Sequence, residues 1–341
     1  MSLRELYEAF SDRDRTEEIG NGRPEVVNRV WKAWHKISYK VFLEHIWKLQ
    51  FCDGIQDAVR HTGTINLALR YLVILSEFGY VTVEDTGSLD WNRLPLGTQD
   101  VSHLTGLEDP FPDFKDRTDL GQFRARWSSS VRRATKILGD LPPSETRVFL
   151  CGDDDFTGIA LAHLGFKVCV GDIDENVLTR ITSYCQVNQL DLSTLFMDVR
   201  HPAPEEIRGR FDAFYCDPFD NGYGIDLWIQ KANEVLTGEI GNRIYINVSL
   251  SRVGARMVGL QNFLTSQGFA LVEIQMQHSY YKFPDNTDPH AGNVFEIGSN
   301  LGIDSEVIKN LDTHTDLLAF RRQMDRVALW PQSYVEVRRK L

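Results

Sequence analysis

From residue 146 onward the sequence alternates short apolar segments with segments of helical spacing, and this alternation constrains the fold more than any other feature. The apolar segments have the length and composition of buried strands and cover 147–151, 166–174, 193–198, 211–219, 242–249 and 269–277. The segments between them predict helices at 158–164, 175–188, 225–236 and 254–267. Strands that alternate with helices form a doubly wound, largely parallel sheet.

A further strand is predicted at 293–298, after the last of these helices and following strand 269–277. A late strand pair of this kind is typical of the S-adenosylmethionine-dependent transferases. The sequence therefore predicts an α/β fold with a Rossmann-like S-adenosylmethionine-dependent transferase sheet. We place this catalytic domain at 144–300 and expect 301–341 to form a helical C-terminal tail.

The first hundred residues predict a mostly helical, winged-helix-like N-terminal domain (1–100), followed by a linker and connecting helix (101–143). The predicted order is helices at 26–47, 54–59 and 65–78, then a strand within 80–85. A DNA-recognition helix needs polar and basic side chains toward the groove, whereas the third helix carries one basic residue, Arg70. We therefore expect an accessory or dimerisation domain, and a homodimer.

The chain has 37 Lys and Arg against 48 Asp and Glu, which gives a net charge of −11. This balance argues against a nucleic-acid or anionic-membrane partner, because both require clustered basic residues. No apolar run is long enough to cross a bilayer, and we expect no signal peptide. The five cysteines lack zinc-ligand spacing, so we expect reduced thiols, a cytoplasmic location and no metal.

Acidic residues follow each of the first four predicted strands, where an open parallel sheet binds its ligands. They are Asp153, Asp154 and Asp155; Asp172 and Asp174; Asp198; and Asp217. Residues 151–226 hold 14 acidic and 5 basic residues, a net charge of −9. Most of the acidity therefore belongs to the predicted ligand-binding edge, which should concentrate cations there.

The first of these loops, Gly152 to Asp155, carries three consecutive carboxylates. A dinucleotide site would have a glycine-rich loop there, with amides facing a pyrophosphate. Three carboxylates would repel phosphate, which excludes NAD, FAD and nucleoside triphosphates. A cationic, phosphate-free cofactor of the adenosylmethionine type fits better. The alternative is a solvated turn with a helix cap.

The next two loops predict contacts to a nucleoside. A carboxylate after the second strand can accept both hydroxyls of a ribose, and we favour Asp172 for this role. Asp174 serves equally as a ribose ligand or as a helix N-cap. Asp198, at the end of the third strand, is a candidate for the adenine amino group.

The fourth loop, CDPFDN, resembles the Asp/Asn-Pro-Pro-aromatic loop of amine-directed adenosylmethionine transferases. In this reading Asp217, Pro218, Phe219 and Asp220 hold the acceptor amine, with a cation–π contribution from the aromatic ring. The alternative is a tight turn. Aromatic side chains of the HSYYKFP segment, Tyr280, Tyr281 and Phe283, are candidates to line the acceptor's methylene chain or simply to pack over the sheet.

Two long segments, LCGDDDFTGIALAHLGFKVCVGDIDE and FDAFYCDPFDNGYGIDLWIQKANEVL, resemble the branched-chain polyamine synthases, the bis(aminopropyl)spermidine synthases. The resemblance covers about 146–300, with Gly152–Asp155 as its most specific element. It implies a winged-helix-like domain joined to a Rossmann-like domain. It also implies aminopropyl transfer from decarboxylated S-adenosylmethionine to the secondary amine of spermidine. Thr157 fits the family pattern, whereas Phe156 and Gly158 replace the usual Leu and Ser, and Phe219 replaces a Pro in the fourth loop, which faces the acceptor and so affects its identity.

The resemblance implies a direct displacement, in which a neutral amine attacks the methylene next to the sulfonium. A carboxylate must accept the amine proton, and we assign this role to Asp155, with His278 as an outside candidate. Asp153 and Asp217 would hold ammonium groups, and Gly152 and Asp154 would contact the donor.

Two other functions remain open from the residues. A small-molecule methyltransferase would use the same nucleoside contacts, but would usually keep glycines in the first loop to accommodate the methionine carboxylate. A transcriptional regulator with a ligand-sensing domain would need salt-dependent duplex binding, which the single arginine of the third helix disfavours.

Overall fold

This computed structural model describes residues 2–16, 37–92, 94–218, 224–282, 292–309 and 311–323. The fold begins with an N-terminal unit. Its elements are α1 (Leu3–Thr16), α2 (Tyr39–Leu49), α3 (Ile55–Thr62), α4 (Ile65–Glu77), β1 (Val81–Val83) and β2 (Leu89–Trp91). The two strands pair antiparallel. The order of α2, α3, α4 and β1 agrees with the prediction, although 26–36 of the first predicted helix (26–47) lie outside the described residues. The winged-helix assignment itself stays a prediction.

Local sequence explains where these helices begin and end. The hydroxyls of Ser38 and Thr64 accept N-terminal amides of α2 and α4. Between α3 and α4, Gly63 has a φ of +83°, a conformation that a side chain disfavours, so the chain turns there. Phe42 and Trp47 of α2 are fully buried in the core that these helices share.

A connecting helix joins this unit to the sheet. After the short α5 (Ser102–Thr105), the long α6 spans Trp127–Asp140. Helix α6 begins only at Trp127, because the chain just before it is extended and pairs with another strand. The Arg126 amide donates to the Tyr280 carbonyl at 2.9 Å, and Ala125 forms a bridge with Tyr281.

The sheet has seven strands among the described residues, in the order β5-β4-β3-β6-β7-β9-β8. The strands are β3 (Arg147–Cys151), β4 (Lys167–Asp172), β5 (Leu192–Phe196), β6 (Ala213–Cys216), β7 (Arg243–Val248), β8 (Phe269–Lys282) and β9 (Asp312–Arg322). Strands β3 to β7 pair in parallel, and β9 runs antiparallel between β7 and β8. The predicted α/β Rossmann-like sheet is confirmed. No described helix is long and apolar enough to cross a membrane.

Helices separate the strands as predicted. They are α7 (Thr157–His163), α8 (Glu175–Asn188), α9 (Gly224–Val235), α10 (Leu250–Val253), α11 (Arg256–Ser266), α12 (Gly292–Asn300) and α13 (Ser305–Lys309). The helix predicted over 254–267 is α11, and the separate short helix α10 precedes it, because Gly254 has a φ of +51° and breaks the helical path between them. All six residues of β7 are buried, as expected for a central strand. The five cysteines are free and buried.

The last strand of the sheet lies later in the sequence than predicted. The segment 293–298 belongs to helix α12, and the strand is β9, inside the segment expected to be a helical tail. Leu317, Leu318, Ala319 and Phe320 are buried consecutively, because a hydrophobic core packs on each face of the sheet at β9. A continuous apolar run of this kind has no period that distinguishes strand from helix. Residues 324–341 lie outside the described part of the tail.

A buried ion cluster fixes the N-terminal unit to the base of the sheet. The carboxylate of Glu44 accepts from Arg243 at 2.5 Å and from Lys48 and Arg321 at 3.2 Å. These cations hold the pKa of Glu44 below its usual range despite burial. The Tyr245 hydroxyl donates to Asp140 at the end of α6 at 3.0 Å. Lys48 of the N-terminal unit also donates to Asp140 at 3.2 Å, so both units anchor the C-terminal end of α6.

Candidate functional site

The predicted acidic loops meet at one edge of the sheet. Cys151, the last residue of β3, stands beside Gly171 of β4 and Cys216 of β6. Because these strands are parallel, the loops that follow them leave the sheet side by side. The structure therefore brings the carboxylates after β3, β4 and β6 into one cleft.

The loop after β3 has a tightly fixed backbone. Gly152 has a φ of +68°, and a Cβ there would lie 2.5 Å from the indole of Trp228, so a side chain cannot fit. Phe156 also adopts a left-handed conformation (φ +59°) and is fully buried. Its ring packs on Phe111, with the Arg124 guanidinium 4.7 Å from the ring centre. The intervening aspartates are thus held by a strained, packed backbone.

Asp153 and Asp172 are buried and bond mainly to the backbone. The Asp153 amide donates to Asp172 at 2.9 Å, and the Gly158 amide donates to the Asp153 carboxylate at 2.9 Å. One Asp153 carboxylate oxygen has no hydrogen-bond partner within the described chain. Burial raises the pKa of both side chains. Asp172 also accepts from the Asp174 amide at 2.8 Å, and its remaining lone pairs can accept ribose hydroxyls.

The other two nucleoside candidates have protein partners. Asp174 is the N-cap of α8: it accepts the Asn176 amide at 3.0 Å and also binds the Gln122 side chain at 2.9 Å. Asp198 accepts from Arg200, whose hydrogen bonds lower the pKa of that carboxyl to about 2. Contacts from these residues to ribose and adenine stay predictions.

A fully buried arginine is the centre of the acidic cluster. Arg133 of α6 donates from Nη1 to Asp155, and from Nη2 to Asp217 and the Tyr281 hydroxyl, both at 2.7 Å. Its Nε donates to the Ser279 hydroxyl at 2.8 Å. The guanidinium thus joins a helix, the two loops after β3 and β6, and strand β8.

The sequence predicted a connecting helix within 101–143 but did not indicate the role of Arg133 on it. The available signal was spacing: with Ser130, Ala134 and Ile137 it lies on the buried face of an amphipathic helix. A buried arginine requires paired acceptors, so an arginine on that face indicates carboxylates nearby. Trp228, which packs on Gly152, was also missed.

Asp155, the predicted base, forms its hydrogen bonds with other groups of the protein. Besides Arg133, it accepts the Ala125 amide, and only 5% of its side chain is exposed. The Ser130 hydroxyl donates to the Asp155 carbonyl at 2.7 Å. The structure thus gives Asp155 the surroundings of a residue that orders the loop.

Asp154 and Asp217 reach the cleft. Asp154 is half-buried, and its carboxylate makes no hydrogen bond to the part of the chain that the structure describes. Burial and the neighbouring carboxylates raise the pKa of Asp154. Asp217 exposes 21% of its side chain, and burial raises its pKa to about 7 against the opposing effect of Arg133. A cation bound beside either carboxyl would therefore stabilise its ionised form.

The remaining candidates divide by location. Tyr280 and Tyr281 lie within β8, not in a loop after it, because that strand extends to Lys282. The Tyr281 hydroxyl donates to Asp217, whereas the Tyr280 ring lies 5.3 Å from the Arg132 guanidinium. His278 is buried, which lowers its pKa to about 4. Pro218 is buried; Phe219, Asp220 and Phe283 lie outside the described residues.

Metal ligands were not expected from the sequence. Within the described ranges, no group of three or more His, Cys, Asp or Glu side chains has an arrangement that could hold a metal ion. The absence of a metal from the reaction stays a prediction.

Comparisons with known proteins match this architecture. The branched-chain polyamine synthase A C-terminal domain family matches residues 116–292, more than half of the chain. An uncharacterised protein of Methanocaldococcus jannaschii is 29% identical over 169 residues, which are 48% of this chain and 42% of that protein. The N(4)-bis(aminopropyl)spermidine synthase of the same organism is 35% identical over 95 residues, 27% of each protein. The chain thus spans less than half the length of these curated relatives.

A solved structure has a similar fold. The branched-chain polyamine synthase of Thermus thermophilus, in complex with N4-aminopropylspermidine and 5'-methylthioadenosine, has a TM-score of 0.52 and 18% identity, and the match covers 94% of each chain. At this identity the likeness shows the fold alone. The family match, which spans more than half of the chain, shows that the protein belongs to the branched-chain polyamine synthase family.

Proposed function

We propose that this protein transfers an aminopropyl group from decarboxylated S-adenosylmethionine to an amine of a polyamine such as spermidine. The observation that carries the proposal is the acidic loop Asp153–Asp155, which occupies the position of a phosphate-binding loop and meets Asp217 in one cleft. The family membership supports it, as do the names of the synthases that match. In the Thermus relative, the bound molecules are an aminopropylated polyamine and a methylthioadenosine.

The acidic cleft favours a donor that is cationic and has no carboxylate. Decarboxylated S-adenosylmethionine carries a sulfonium and an ammonium group, both attracted by the aspartates. Intact S-adenosylmethionine would bring its own carboxylate into the same field, which costs binding energy. We propose that Asp172 accepts ribose hydroxyls, because it is a buried carboxylate at the end of β4 with lone pairs to spare.

The reaction proposed is a single displacement. A neutral amine nitrogen attacks the methylene carbon next to the sulfonium, a carbon–nitrogen bond forms, and the carbon–sulfur bond breaks to release methylthioadenosine. The product ammonium must lose a proton, and we propose that Asp154 accepts it. Asp155 is engaged by Arg133 and Ala125, whereas Asp154 faces the cleft with no described partner. A raised pKa makes Asp154 a stronger base than an exposed aspartate.

The type of group transferred is tested by product mass. We expect incubation with spermidine and decarboxylated S-adenosylmethionine to give products heavier by about 57 mass units per transfer, the increment of an aminopropyl group. Products heavier by about 14 units, formed from intact S-adenosylmethionine, would mean methyl transfer and would contradict the proposal. A reaction without spermidine is the control for donor breakdown.

The identity of the base is tested by two variants of the first loop. Asp154→Asn should lower kcat by at least about 100-fold without loss of the fold, because no described protein contact is removed. Asp155→Asn should lower the unfolding temperature, since it weakens the buried pair with Arg133. If Asp154→Asn kept full turnover while folded Asp155→Asn lost it, the base would be Asp155.

We also propose a homodimer that forms through helix α4. Ile65, Leu69 and Val73 lie four residues apart on this helix, and these residues are 65%, 43% and 50% exposed. The stripe is symmetric about Leu69, so a second copy that packs antiparallel would place Ile65 on Val73 of its partner. The low basic content of the helix argues for this partner over DNA.

Solution mass tests the dimer. Light scattering should give twice the chain mass for the unchanged protein, and Leu69→Lys should give a monomer, because it would bury a charge at the centre of the contact. Val258→Lys is a control, since Val258 is 62% exposed on the distant helix α11. A monomeric unchanged protein, or a dimer that survives Leu69→Lys, would refute this interface.

A further inference from the structure

We infer that Tyr281 is a positioning residue: with Arg133, it favours the carboxylate form of Asp217 and orients this carboxylate toward the ammonium group of the acceptor amine. This inference rests on the proposed function, because it assigns the acceptor's anchor in the same cleft. From the sequence, Tyr281 is a candidate to line the methylene chain of the acceptor. Here it instead orients the carboxylate that binds the acceptor.

Two buried side chains donate hydrogen bonds to the Asp217 carboxylate. One of its carboxylate oxygens, Oδ2, accepts from Arg133 and from the Tyr281 hydroxyl. The same Arg133 nitrogen donates to the Tyr281 hydroxyl oxygen, so the three groups form a closed ring of hydrogen bonds. Two donors on one oxygen fix both the position and the rotation of the carboxylate.

Exposure shows which member of the cluster meets a ligand. Arg133 is fully buried, Asp155 exposes 5% of its side chain and Tyr281 is 5% exposed, whereas Asp217 exposes 21%. A molecule in the cleft can therefore touch Asp217 but reaches Tyr281 and Arg133 only through it. A cation at Asp217 gains a fixed anion whose orientation requires no reordering on binding.

Tyr281 is itself firmly placed. Its ring stacks on Phe123 with the planes 7° apart and the centres separated by 5.7 Å. Its hydroxyl lies 3.1 Å from the Thr315 hydroxyl on the neighbouring strand β9. Burial raises the pKa of Tyr281, so the phenol stays protonated and available as a donor.

The charge of Asp217 depends on groups from every described element around it. Arg133 of α6 and the Tyr281 hydroxyl of β8 favour the carboxylate, whereas burial and Asp155 favour the acid. Asp154 beside it and Tyr215 and Cys216 of β6 also interact with its charge. The balance leaves the pKa of Asp217 at about 7, so loss of one donor should move its ionisation to higher pH.

Tyr281→Phe removes only the hydroxyl and tests this role. We expect the KM for spermidine to rise about tenfold near pH 7 while kcat changes less than about twofold, because an anchor is weakened and the base is untouched. In the unchanged protein, KM should fall as pH rises through about 7 and Asp217 ionises. In Tyr281→Phe this fall should occur at a pH about one unit higher.

Tyr245→Phe is the matched control. It also deletes a buried tyrosine hydroxyl that donates to an aspartate, Asp140, but in the ion cluster at the other end of α6. Both variants should lose similar stability, whereas only Tyr281→Phe should move the pH dependence of KM. Equal pH profiles in the two variants would overturn the positioning role.

A titration without substrates separates this inference from the proposed function. Carbon NMR of protein labelled at the aspartate carboxyls, with Asp217→Asn to assign the signal, should show Asp217 titrating near 7 and at higher pH in Tyr281→Phe. An Asp217 signal that titrates identically in both proteins refutes the inference, even if aminopropyl transfer is observed. If Tyr281→Phe fails to fold, Arg133→Lys tests the same ring, with the same direction of change expected.

Discussion

The hydrogen bonds of Arg133 are the interaction on which the rest of the site depends. A guanidinium with no exposed surface is tolerable only when anionic and polar acceptors surround it, and here they come from the loops after β3 and β6 and from strand β8. If any one of these segments moved away, Arg133 would lose a hydrogen-bond acceptor while remaining buried. One buried side chain thus converts three chain segments into a single rigid edge of the cleft.

This arrangement divides the carboxylates into two groups. Asp153, Asp155 and Asp172 are buried, and they accept from backbone amides or from Arg133. Asp154 and Asp217 are partly exposed, and burial together with neighbouring carboxylates raises the pKa of both side chains. A cationic ligand supplies the missing countercharge, so binding and ionisation of these two groups should reinforce each other. The net charge of −9 over residues 151–226 extends this attraction beyond the contact residues.

Much of the sheet could be predicted from the sequence, because parallel strands buried on both faces appear as short apolar runs between helices with clear ends. The acidic edge followed from topology, since residues after parallel strands must meet. Strand β9 was missed for a physical reason: Leu317 to Phe320 are buried on both faces, and such a run has no period. The extent of β8 was missed because its far end pairs with 125–126, a contact distant in sequence.

Within the site, the sequence could indicate which carboxylates lie close together, but not which of them are hydrogen-bonded within the protein. Asp154 and Asp155 are adjacent aspartates, but only Asp155 is paired with Arg133, which lies more than 20 residues earlier in the chain. Asp174 was left open between ribose ligand and helix cap, and the structure shows its capping bond. Side-chain partners of this kind are set by tertiary packing and leave only weak signals in local sequence.

The central claim is that the acidic cleft selects a donor without a carboxylate. Isothermal calorimetry with the unchanged protein tests this most directly, since it compares decarboxylated and intact S-adenosylmethionine on one site. The account predicts tighter binding of the decarboxylated donor, by about tenfold or more, because only the intact donor brings a carboxylate among the aspartates. Equal or tighter binding of intact S-adenosylmethionine would contradict it.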